Sequence, residues 1–136
     1  AGAVFGAFRG LLPPERVFAS FNDVLPAMVF SGQLVKRNAT YVYLETLGGG
    51  GGAGYAVDGM DGIQVHTSNT ANLPVEALEQ TLPMRVRTYA LRSGSGGAGE
   101  FAGGEGLIRE YELLVPASAI ILTNDAERHY IKTVAA

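Results

Sequence analysis

Between Asp58 and Glu79 the chain crowds together two carboxylates, an imidazole, two carboxamides and a further acid: Asp58, Asp61, His66, Asn69, Asn72 and Glu76. A stretch that only filled a core would be aliphatic. These are instead the groups that ligate metals, move protons or donate to an oxyanion. Neutral imidazole can ligate a metal or carry a proton near pH 7, which makes His66 the centre of the segment's chemistry. With Asp58 and Asp61 it forms a candidate ligand set for a divalent metal ion, which would activate water or polarise a carbonyl. A lone histidine is more often a hydrogen-bonded structural residue, so the functional reading of His66 rests on its neighbours. Asn69, Asn72 and Glu76 also have a plainer reading, as Asx turns and a helix start with Asn72 as the cap and Glu76 in the first turn.

Two glycine blocks flank this segment, Gly48-Gly49-Gly50-Gly51-Gly52-Ala53-Gly54 before it and Gly94-Ser95-Gly96-Gly97-Ala98-Gly99 after it. Each contains a formal G-x-G-x-x-G. That match comes easily in glycine-rich sequence, and neither block opens a long helix in a βαβ unit or leads into Lys-Ser/Thr, so nucleotide binding by this chain is not expected. The expected role is backbone geometry: positive φ and close approach of one chain segment to another. On that reading a β-branched residue at Gly50 or Gly97 is strained. The competing reading, a flexible linker, fits poorly with a block that follows a strand and lacks the usual Ser and Lys.

The elements that must position these residues read as an α+β protein dominated by antiparallel sheet, with a short amino-terminal helix, one short internal helix and two Gly-rich loops. Val4, Phe5, Phe8, Leu11 and Leu12 fall at helical spacing up to Pro13-Pro14. Arg16 to Ser31 is irregular, with Asn22-Asp23 and Pro26 as punctuation. Strands are expected at Thr40–Leu44, Met84–Leu91, Leu107–Leu114, Ala119–Thr123 and Tyr130–Val134, and a helix between Asn72 and Gln80. Arg85 and Arg87 face Glu110 and Glu112 if the second and third of these strands pair antiparallel. The link from Arg92 to Gly106 is far longer than a hairpin needs, as functional loops are. Arg92 and Arg109 read as surface or cross-strand partners, and Glu45, just ahead of the glycines, as a residue that could face the same cavity as the polar segment.

Composition narrows the classes. The 136 residues are 47% hydrophobic, enough for one domain or lobe spanning residues 1–136. A formal charge of -3 with no basic run argues against nucleic acid. With no cysteine, disulfides and thiolate sites are excluded, and a cytoplasmic location is expected. The apolar runs fall short of the roughly 20 residues of a membrane helix, and Arg9 inside the first run does not fit a secretory signal. No Gly-x-Ser-x-Gly elbow is present for serine-hydrolase chemistry.

Taken jointly, four motifs resemble one family: Glu45-Thr46-Leu47 running into the poly-Gly block, Asp58-Gly59-Met60-Asp61-Gly62, the run from His66 to Glu76, and Ser95-Gly96-Gly97-Ala98-Gly99-Glu100-Phe101-Ala102-Gly103-Gly104-Glu105-Gly106-Leu107. From about Val4 to about Arg128 the chain is similar to the carboxy-terminal part of the hydantoinase B / 5-oxoprolinase large-subunit family, whose relatives include ATP-dependent carboxylases of acetophenone and acetone. The resemblance implies part of a hydrolytic subunit that opens cyclic amides, with His66, Asn69 and Glu76 as catalytic residues of a His-x-Thr/Ser-Asn-Thr-x-Asn-x-Pro-x-Glu signature. It implies ATP and Mg on a hydantoinase A-like partner, which phosphorylates the substrate, and the remainder of the hydantoinase B-like polypeptide as a second partner. A carboxylase lobe and a non-catalytic docking lobe are the alternatives. Family members are several times longer, so this chain, which opens at Ala1 without Met, is expected to be a fragment, a processed piece or a separately encoded lobe. It departs from the family at Gln64, where many members have a second histidine, and after Arg128, where a Pro-Trp-Gly segment is replaced by His129-Tyr130-Ile131.

Overall fold

A computed structural model describes residues 2–8, 10–17, 27–64 and 69–122. Helices are α1 (Gly2–Phe8) and α2 (Val75–Thr81); strands are β1 (Ala27–Leu34), β2 (Ala39–Thr46), β3 (Met84–Arg92), β4 (Gly106–Leu113) and β5 (Ala117–Leu122). The class is α+β, mainly antiparallel sheet. The chain divides into two compact units, one of Ala1–Leu25, Gly48–Thr70 and Ala90–Ile108, the other of Pro26–Leu47, Ala71–Tyr89 and Arg109–Ala136.

The second unit is built on a three-stranded sheet in the order β2-β1-β5. β1 pairs antiparallel with β2, Phe30 opposite Tyr43, and antiparallel with β5, Phe30 opposite Ala119. The tight β1–β2 connection turns through Asn38 at φ 48°, a left-handed position that Asn tolerates better than most residues. Strand alternation sends Phe30, Tyr41 and Tyr43 to one face, where Phe30 and Tyr41 join fully buried Leu78 and Met84 in the core. α2 contributes Leu78 from the middle of its apolar stripe, and its last turn closes through the Leu82 amide donating to the Leu78 carbonyl at 2.8 Å.

β3 and β4 form a separate two-stranded sheet. Arg87 pairs with Glu112 at 2.6 Å and the Thr88 hydroxyl donates to Glu110, a descending order that makes the pair antiparallel. The expected cross-strand charge pairing therefore holds for Arg87.

Several expectations are corrected. The amino-terminal helix stops at Phe8 rather than near Leu12, and the Leu11 and Leu12 amides both turn back to the Phe8 carbonyl. Gly10 is a poor helix former and Pro13-Pro14 cannot continue the ladder. The internal helix begins after Pro74, not at Asn72, and no side chain caps it. The second half of the irregular Arg16–Ser31 stretch includes the start of β1. The strand expected at Tyr130–Val134 lies outside the described residues.

The first unit is held by two interlocked loops rather than by long strands. Gly49 donates to the Ile63 carbonyl and Gly51 to Met60, both at 2.8 Å, while Gly104 donates to Gly51 and Gly59 to Ala102, also at 2.8 Å. A β-carbon on Gly50 would overlap the carbonyl oxygen of Gly104, so glycine is required there for close approach. Positive φ is not the reason: among the described glycines only Gly62 and Gly94 adopt it. The linker reading of Gly48 to Gly54 fails on these bonds. At Gly97 the expectation of crowding fails too, since a β-carbon there meets nothing within 4 Å.

Candidate functional site

Strand β2 carries Tyr41, Tyr43 and Glu45 in one phase, and that phase points inward. Glu45 is therefore buried by the register of its strand. β4 does the same with Arg109, in phase with Leu107, Tyr111 and Leu113. The two charges meet in the second unit, Arg109 Nη2 lying 3.3 Å from Glu45 Oε1, with side chains 0% and 2% exposed. A buried pair of this kind needs further hydrogen bonds to offset lost hydration.

Asn72 supplies them. Its Nδ2 donates to Glu45 Oε1 and to the Thr46 carbonyl, both at 2.8 Å, and its Oδ1 accepts from the Tyr89 hydroxyl at 3.0 Å. The Tyr89 ring in turn stacks under the guanidinium, 4.3 Å from its centroid, with Tyr111 at 5.5 Å on the same cation. Asn72 is thus a bridge between β2 and β3, not a helix cap, and Arg109 is an interior cation, not a surface residue. Glu45 Oε2 and the Arg109 nitrogens have no hydrogen-bond partner among the described residues.

The Tyr43 hydroxyl lies beside this carboxylate, outside strict hydrogen-bond geometry. Burial first, then contact with Glu45 and its negative charge, push the phenol well above its usual value, with Arg109 opposing. An acid whose folded pKa is raised adds stability that is whole below the unfolded value near 10 and declines as pH climbs past it. Thermal melts from pH 9 to 11 should therefore show a loss of Tm with pH that is shallower in Tyr43→Phe. An unchanged slope would mean that Tyr43 does not contribute.

The segment singled out from sequence distributes differently. His66 lies outside the described residues. Asp58 and Asp61 are exposed and act on the loops of the first unit: Asp58 Oδ1 accepts the Ala102 amide at 2.7 Å, and Asp61 Oδ1 accepts the Glu105 amide at 2.6 Å. Glu105 and Ser95 continue the stitching, accepting the Gly94 amide at 2.7 Å and the Gly106 amide at 2.9 Å. Among the described residues no three His, Cys, Asp or Glu side chains gather closely enough to hold a metal ion. The geometry of Asp58 and Asp61 is that of loop anchors. Asn69 is exposed in the first unit; Glu76 is exposed in the first turn of α2 in the second.

Sequence reading misses the interior roles of Arg109 and Tyr89. The signal is present in the alternation of β4, where a charge falls in phase with apolar residues.

The sequence matches the family described as hydantoinase B/oxoprolinase over residues 1–132. It is 40% identical over 107 residues to 5-oxoprolinase of Dictyostelium discoideum, covering 79% of this chain and 8% of that protein. It is 38% identical over 106 residues to a hydantoinase B-type polypeptide, a putative D-/L-hydantoinase component of Pseudomonas sp. (strain NS671), covering 77% of this chain and 17% of that polypeptide. With the beta chain of the caprolactamase of Pseudomonas jessenii it shares 33% identity over 112 residues, 79% of this chain and 19% of that protein. The chain thus spans less than a fifth of the length of these relatives. No solved structure matches it. A match along nearly the whole sequence, carried through the interlocked glycine loops and the Glu45–Asn72–Arg109 cluster, places the chain in the hydantoinase B/oxoprolinase family.

Proposed function

We propose that this chain is part of the hydrolytic subunit of an ATP-dependent enzyme that opens cyclic amides, a lactam, hydantoin or 5-oxoproline. The observation that carries the reading is the family match over residues 1–132, together with relatives named for oxoproline, hydantoin and caprolactam substrates. All three are rings closed by an amide bond.

An unstrained amide resists water because resonance lowers the electrophilicity of its carbonyl and its nitrogen is a poor leaving group. A hydantoinase A-like subunit holding ATP and Mg would transfer a phosphoryl group to the carbonyl oxygen and release ADP, which removes the first obstacle; the phosphoryl group would leave as inorganic phosphate once water has supplied the oxygen of the product carboxylate. The second is met by an acid-base group that takes a proton from the attacking water and returns one to the departing ring nitrogen. His66 is assigned that role, and Asn69 and Glu76 are the other catalytic residues of the signature. The remainder of a hydantoinase B-like polypeptide completes the cavity. Asp58 and Asp61 hold the loops.

His66→Ala in the assembled complex should slow ring opening at least about a hundredfold, the lower end of acid-base contributions, with ATP binding on the partner intact. Wild-type turnover by an assembled His66→Ala complex would overturn the catalytic assignment and leave this chain a docking lobe.

A further inference from the structure

The three-stranded sheet of the second unit carries its core on one face and an exposed aliphatic row on the other, where Ser31 and Ser118 share the neighbouring rung with Val42. Its inner face carries the core around Phe30 and Tyr41. On the outer face Leu44, Val29 and Ile120 stand directly opposite one another across β2, β1 and β5, and Val42 lies two residues along β2. Leu44, Ile120 and Val42 are 61%, 62% and 70% exposed. An antiparallel sheet that ends a fold against water carries polar residues on its open face, so an aliphatic rung that runs across all three strands there is a surface suited to being covered. A row of aliphatic side chains in register across three strands is a packing surface, unlike scattered exposed leucines.

What covers it follows from the relatives. The Pseudomonas hydantoinase polypeptide has only 17% of its length matched by this chain, and the caprolactamase polypeptide 19%, so roughly four-fifths of such a protein has no counterpart here. We infer that Leu44, Val29, Ile120 and Val42 form the docking face for an apolar layer of that remaining hydantoinase B-type polypeptide. This inference rests on the reading of the chain as part of such a protein, and it makes the sheet an interior layer of the larger fold.

The test is co-expression of this chain, tagged, with the Pseudomonas hydantoinase B-type polypeptide from which the matched segment has been removed. Wild-type chain should recover the partner at equal stoichiometry, with slowed hydrogen exchange at residues 42–44 and 118–120. Leu44→Glu should weaken the association at least a hundredfold, while Leu44→Met keeps it. Because Leu44 is exposed, the isolated Leu44→Glu chain should keep the wild-type circular dichroism spectrum and melt. Equal recovery by wild type and Leu44→Glu would overturn the docking face. So would no recovery by wild type, or a discrete homodimer of the isolated chain that Leu44→Glu dissolves, which would assign the face to a second copy. Assembly that depends on Leu44 in a complex lacking ring-opening activity would preserve the docking face and remove the hydrolytic reading; activity in a complex indifferent to Leu44 would do the reverse.

Discussion

Arg109→Met should destabilise the second unit by about 3–5 kcal/mol, the cost of leaving one member of a buried ion pair without its partner. The substitution keeps much of the side-chain volume but removes the charge that faces Glu45 at 3.3 Å and the cation that stacks on Tyr89. Against a typical total stability of roughly 5–15 kcal/mol, that loss approaches unfolding. The double variant Glu45→Gln/Arg109→Met should be more stable than Arg109→Met alone. A neutral carboxamide still accepts from Asn72 and is cheaper to bury than an unpaired carboxylate. Urea unfolding followed by circular dichroism measures both, with midpoints compared at constant slope. If the double variant is the less stable of the two, the pair is not the source of the effect.

Gly50→Val is the second large effect. The obstacle to a side chain at Gly50 is the Gly104 carbonyl, a backbone group that cannot rotate away, so the two loops must separate. Overpacking costs typically about 1–3 kcal/mol, and a rigid obstacle puts this site at or above the upper end. The Gly104 amide, which donates to the Gly51 carbonyl across the same contact, should lose protection from hydrogen exchange. Gly97→Val is the control: with open space around it, its melting temperature should stay at the wild-type value. Equal damage from both substitutions would show that crowding at Gly50 is not what matters.

Periodicity makes the sheet legible. β3 and β4 are visible because Met84-Arg85-Val86-Arg87 and Leu107 to Leu114 follow the pleat's own period, and β2 because Thr40 to Leu44 is rich in β-branched and aromatic residues. β1 is obscured at its start by Pro26 and by Gly32 within it, a residue that weakens strand signals. The glycine blocks are legible as backbone devices, but which glycine meets which carbonyl depends on a partner loop some fifty residues away, and local sequence does not carry that. Asn72 misleads because a carboxamide just ahead of a helix satisfies the capping pattern equally well whether or not it turns outward to Glu45. Arg109 misleads for the opposite reason. Charge argues for the surface, while the phase of its strand argues for the interior, and the buried carboxylate that settles the contest lies on another strand.

The Glu45 cluster also occupies a particular place along the chain. The polypeptide passes from one compact unit to the other five times, at Leu25–Pro26, Leu47–Gly48, Thr70–Ala71, Tyr89–Ala90 and Ile108–Arg109. Glu45 and Thr46 stand just before the second passage, Asn72 just after the third, and Tyr89 and Arg109 at the fourth and fifth; hydrogen bonds, ion pairing and ring stacking join all of them. Four of the five passages are thus tied to one another by residues of the second unit that stand beside them. A protease that nicks the largely exposed stretch from Ser93 to Glu100 is expected to cut the chain without freeing either piece. Size-exclusion chromatography of the nicked protein should show one peak that separates only in denaturant, because the two fragments share the Glu45 cluster of the second unit.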